Sequence, residues 1–180
     1  MKNVYAAALA VLLFTGCGGD STSDPASTGV HFQGRDCLSC HNKDLAPSSH
    51  LTMGGTVYKS ATSNINNLNE TCSERLHIEF GSLILSTKRA NAVDAAGFNG
   101  RGNVFAFIKD MPITGTYEVS IVKDDGSFVL ASTIDHPFMG GFDENNPSDT
   151  NNRYSCNTCH QAPPNNLNGA PGLLNAPGCL

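Results

Sequence analysis

The sequence predicts an all-β chain: a small two-sheet sandwich with long loop-borne segments at both ends. Three observations carry this. Leu76, Ile78 and Phe80 alternate with His77 and Glu79, and Tyr117, Val119 and Ile121 alternate with polar neighbours. That is the period-two signature of half-buried strands. Asp124-Asp125-Gly126 is a hairpin turn signal between two strand-like runs. Turn residues recur between the short apolar runs with no helical period, and the chain holds 18 Gly and no Trp.

Taken in order, residues 1–16 read as a leader outside the fold. Lys2 is a short positive region, Ala6 to Phe14 is apolar, and Thr15-Gly16-Cys17 closes with small residues. The run is too short to span a bilayer and has signal-peptide form. Residues 17–30 are small and polar, a flexible tether. Residues 31–180 have the size of one domain, with a sandwich core at about 55–133 between end segments 31–54 and 134–180. Gly54-Gly55 is expected to be a turn or bulge feeding a strand at Thr56 to Lys59, and residues 60–71 to be loop. Leu76 to Phe80 and Ser82 to Thr87 read as strands, and Asp94 to Asn103 as a loop. Val104 to Ile108 is a continuous apolar run, expected to be central. The alternating strand from Tyr117 turns at Asp124 and returns as Ser127 to Thr133. After it a polar loop runs to Arg153, and the Pro- and Gly-rich tail from Gln161 should wrap over the domain.

One pattern occurs at both ends: Cys37-Leu38-Ser39-Cys40-His41 and Cys156-Asn157-Thr158-Cys159-His160. Cys-x-x-Cys-His is the pattern for covalent attachment of a c-type haem. Two cysteines at this spacing reach two neighbouring vinyl groups, and the adjoining histidine is carried under the porphyrin to bind iron. With 7 Cys and 6 His in 180 residues, one chance match is expected roughly once per hundred such sequences. Zinc sites use Cys-x-x-Cys pairs without a histidine directly after each. A thioredoxin-like dithiol wants one motif beside a βαβ unit. Two covalent c-type haems are therefore expected, at Cys37, Cys40, Cys156 and Cys159, with His41 and His160 as proximal ligands.

Four histidines and three methionines remain for the sixth positions. His50 and His136, at loop–strand junctions near a motif, are the expected distal ligands; His31, His77 and Met139 are the rivals. Bis-histidine ligation lowers the reduction potential, and Met/His raises it. Cys72 and Cys179 are left over, and in an oxidising compartment they are expected to form a disulfide, the alternative being a thiol that pairs with another protein.

Phe14-Thr15-Gly16-Cys17 resembles a bacterial lipobox, which implies lipid on Cys17; the alternative is an ordinary signal peptide cut nearby. Gly18 at the following position implies forwarding to the outer membrane, periplasmic or cell-surface face. Gly55-Thr56-Val57-Tyr58, Gly102-Asn103-Val104-Phe105 and Tyr117-Glu118-Val119-Ser120 are similar to carboxypeptidase regulatory-like domains, which implies an Ig-like sandwich. The chain around them resembles exported multihaem proteins of metal-respiring bacteria. That implies electron transfer with redox partner proteins, such as other cytochromes, through small interfaces, and a lipid anchor in the membrane.

Without the leader the chain has 10 basic and 16 acidic side chains, a formal charge near −6. It has no basic patch for nucleic acid, and acidic charge favours basic partner surfaces. A haem enzyme, peroxidase or small-molecule reductase, with one open iron is the alternative function. A surface-binding module whose haems only fill core is a third.

Overall fold

A computed structural model describes residues 34–179 apart from 73–75, 82, 86–101, 110–112, 124, 144 and 147–148. The expectations for the leader, the tether, Cys17, His31 and most of the 94–103 loop lie outside the described residues. No helix among the described residues is long and apolar enough to cross a membrane.

The chain is all-β, as expected. Its elements are α1 (Cys37–His41), β1 (Leu51–Thr56), β2 (Leu76–Phe80), β3 (Leu83–Leu85), β4 (Asn103–Phe107), β5 (Gly115–Tyr117), β6 (Val119–Lys123), β7 (Phe128–Ala131), β8 (His136–Phe138) and α2 (Cys156–Cys159). An antiparallel sheet of order β3-β2-β6-β7 forms one layer, and two ribbons, β1-β4 and β5-β8, complete the sandwich. Leu76, Ile78 and Phe80 of β2 are buried, and Ile121 of β6 stands opposite Ile78. The alternation thus buries one side of the sheet. Gly126, with φ +83°, turns β6 into β7.

An edge-to-face aromatic cluster joins the layers. Phe138 of β8 lies 5.2 Å from Phe80 of β2 and 5.2 Å from Tyr154, two residues before α2. Such pairs add about 0.5–1.5 kcal/mol each beyond their burial. They carry the second Cys-x-x-Cys-His segment onto the core.

Three expectations are corrected. Gly54-Gly55 is neither a turn nor the bulge; both lie inside β1, and the register shift falls between Leu51 and Met53. Strand β4 is not central: among the described residues it pairs with β1 alone. Its apolar run is still explained, because Val104 is buried and Phe105 and Phe107 pack against the core. The alternation through Tyr117 to Ile121 spans two strands, since the chain leaves β5 at Glu118 and enters a different sheet at Val119.

The tail is tied down. Tyr58 N donates to Leu174 O, Ala176 N donates to Tyr58 O, and Leu173 N donates to Ala61 O. The Cys72–Cys179 disulfide closes this region across 107 residues of sequence. On the chain-entropy model a loop of that length contributes about 4–5 kcal/mol.

Candidate functional site

Both Cys-x-x-Cys-His segments fold as single helical turns, and both pack on β1. A side-chain carbon added at Gly54 would lie 2.9 Å from Cys37 Cβ and 3.2 Å from Leu38 Cδ1. At Gly55 the same atom would lie 2.5 Å from Cys156 Cβ and 3.1 Å from Cys156 Sγ. Neighbouring residues of a strand face opposite sides. So α1 covers one side of β1 and α2 the other, each with its motif's first cysteine on a glycine. The sequence placed these motifs 119 positions apart; the fold brings them to adjacent residues.

The helix starts are joined by hydrogen bonds. Asp36 caps α1: its Oδ1 accepts from Leu38 N at 3.2 Å and Ser39 N at 3.3 Å. The same oxygen accepts from Ser155 Oγ at 2.6 Å, the residue that begins α2. Asn157, the first variable residue of the second motif, is 6 % exposed. Its Oδ1 accepts from Thr56 N at 3.0 Å, and its Nδ2 donates to Arg35 O at 2.7 Å. Leu38, the corresponding residue of the first motif, is fully buried in the core. One motif is therefore held by apolar packing and the other by a buried amide.

The motif histidines share a third feature. His41 Nδ1 is 3.0 Å from Ser49 O, and His160 Nδ1 is 3.0 Å from Gly172 O. A carbonyl can only accept, so in the neutral ring Nδ1–H donates and the lone pair stays on Nε2. That is the tautomer in which an imidazole binds iron, with its ring fixed by an outer hydrogen bond. Burial, with a smaller contribution from Arg153, lowers the His160 pKa and favours the neutral form; the Gly172 bond opposes them.

The thiols are less uniform. Cys37, Cys156 and Cys159 are free, whereas Cys40 is disulfide-bonded. A thioether at Cys40 requires that sulfur in its reduced form. Burial pushes the Cys37 thiol up to about 12, helped by the Asp36 carboxylate. Burial does the same to Cys156, also about 12, with Cys37 and Cys159 adding to it.

The two expected distal histidines differ. His136 at the start of β8 has Nδ1 3.1 Å from Ile134 O, the same arrangement as the motif histidines. Burial first, then Arg153 and His160, depress its pKa to about 4, so it is neutral at pH 7 and lies near His160. His50 has the reverse arrangement, with Nε2 3.1 Å from Leu45 O. Binding iron through Nε2 would break that bond. His77 lies in β2 opposite Val122, and Met139 is exposed beyond β8.

Three of the four motif thiols are free and both motif histidines set Nδ1 on a carbonyl, so the residues would fit haem once Cys40 is reduced. Among the described residues no group of three or more His, Cys, Asp or Glu side chains could hold a bare metal ion. A haem needs no such group, because the porphyrin supplies four ligands and the chain only the axial ones.

Asp36, Asn157 and Gly172 were not singled out by the sequence reading. An Asp directly before a short helix is a capping signal that could have identified Asp36. A Gly-Gly pair inside a strand signals close backbone approach as readily as a turn. Nothing in the sequence marks the Gly172 carbonyl. Compared with family models, curated proteins and solved structures, the chain matches none, so the resemblances described above rest on the quoted residues alone.

Proposed function

We propose that this chain is an electron carrier holding two c-type haems. The observation that supports it most is the convergence of both Cys-x-x-Cys-His turns on Gly54 and Gly55. Adjacent Cα atoms are 3.8 Å apart, so Cys37 Cβ and Cys156 Cβ lie within roughly 12 Å of each other. Two porphyrins anchored there would be close neighbours, an arrangement suited to passing electrons between them.

Bound haem supplies one-electron iron chemistry. The chain's own residues would attach it through Cys37, Cys156, Cys159 and, once reduced, Cys40, with His41 and His160 oriented through the Ser49 and Gly172 carbonyls. His136 is the better supported distal ligand, at the second motif, through its neutral ring and its nearness to His160. His50 is a distal ligand only if its Leu45 bond opens.

The lipobox-like Cys17 and the leader support an exported, lipid-anchored location, with basic redox proteins as partners for the acidic chain.

The test is the visible and EPR spectrum of the full chain made with haem-maturation machinery, with a denatured pyridine haemochrome to count haem. Two covalent low-spin haems per chain are expected. A high-spin share near one half would favour the haem-enzyme reading, and no covalent haem would end both.

A further inference from the structure

Tyr58, two residues beyond β1, is fully buried, and its hydroxyl has no hydrogen-bond partner among the described residues. A buried hydroxyl left unpaired costs about 1–3 kcal/mol, so the position calls for an acceptor that it serves. Its surroundings say where that acceptor comes from. The hydroxyl packs directly on Gly34, three residues before Cys37, and Cys37 is near enough to act on the charge of the phenol. The tail bonds to Tyr58 N and O fix the backbone behind it, and the side chain is fully enclosed.

We propose that the Tyr58 hydroxyl donates a hydrogen bond to a carboxylate of the haem on the first motif, raising that haem's reduction potential. The inference rests on the two-haem reading. The carboxylates are the strong acceptors at a haem's edge, and a phenol is a donor suited to them. Drawing negative charge away from the edge favours the ferrous state and raises the potential. Among the described residues no buried side-chain hydroxyl near the second motif lacks a partner, so the effect falls on one haem.

The test is Tyr58→Phe in the full chain, which removes one oxygen and keeps the ring. In the haem-free protein the variant is expected to be at least as stable as the parent, because an unpaired hydroxyl is gone. In the loaded protein one haem is expected to lose roughly tenfold in its reduced-to-oxidised ratio at fixed poise, about 59 mV for a one-electron couple. The other haem should not move. In a Cys156→Ser/Cys159→Ser chain, which carries only the first haem, the drop should persist. Resonance Raman of the unmutated protein should show a haem-carboxylate mode that shifts in D2O. Unchanged potentials in Tyr58→Phe, or no D2O shift, would overturn the proposal while leaving the electron carrier intact. An unmutated chain without haem would instead remove the underlying reading.

Discussion

Gly55→Ala is the sharpest test of the way β1 holds the two motifs. Gly54 and Gly55 lie in a regular strand and have none of the positive φ values that reserve a position for glycine. On backbone grounds alanine should therefore stabilise slightly, by about 0.4–1 kcal/mol, through a less flexible unfolded chain. Contact reverses the sign. The new carbon would sit 2.5 Å from Cys156 Cβ, where carbon atoms rest about 3.5–4.0 Å apart. Helix α2 must retreat by about 1 Å, at an overpacking cost of about 1–3 kcal/mol. The retreat stretches the 3.0 Å bond between Thr56 N and Asn157, and leaving that buried pair unmade costs about 1–3 kcal/mol more. The net loss is about 2–4 kcal/mol, or about 6–12 °C in Tm for a domain of this size. Thermal melts followed by circular dichroism, with haem counted per chain, read both consequences. Gly54→Ala should cost less, because its nearest neighbour, Cys37 Cβ, would lie at 2.9 Å, where Gly55 would meet Cys156 Cβ at 2.5 Å. A Gly55→Ala protein that melts with the parent and loads both haems would show that α2 does not press on β1.

Three further outcomes follow from the geometry. Cys72→Ser/Cys179→Ser should destabilise the chain by about 4–5 kcal/mol. Because the tail also carries the Gly172 carbonyl that holds His160, the EPR signal of the second haem should change. His136→Ala should open one sixth position and give a high-spin share near one half; unchanged spectra would remove that ligand. In the haem-free protein the Cys37 and Cys156 thiols ionise near 12 instead of the ordinary 9. The folded state then holds protons that the unfolded chain releases, so stability should fall as pH rises from 9 towards 12, measured by urea titration.

The parts legible in the sequence were those written into contiguous residues. Leu76 to Phe80 alternates strictly, so β2 and its buried side followed from period alone, as did the turn at Gly126. Both motifs and the Cys72–Cys179 pair were readable because cysteine chemistry restricts its own alternatives. Strand β8 was missed because three residues containing Pro137 carry no period; its existence depends on β5, which it pairs through Thr116 and Pro137. The role of Gly54-Gly55 was hidden for a related reason. A glycine pair reports that a side chain is excluded, and only the fold reveals that the excluding groups are Cys37 and Cys156.

That exclusion explains why a sandwich carries the motifs. A four- or five-residue helix cannot hold its own position, since nucleation is costly and the turn ends before propagation repays it. Each motif therefore borrows rigidity from β1, which is fixed on one edge by β4 and bridged on the other at Gly54 by Ser155. Asp36 then makes the two borrowed positions one, because its Oδ1 serves the start of α1 and the residue that opens α2. Displacing either turn disturbs the carboxylate that orders the other. The two attachment points thus keep a fixed separation, and that separation sets how readily an electron crosses between the irons they would hold.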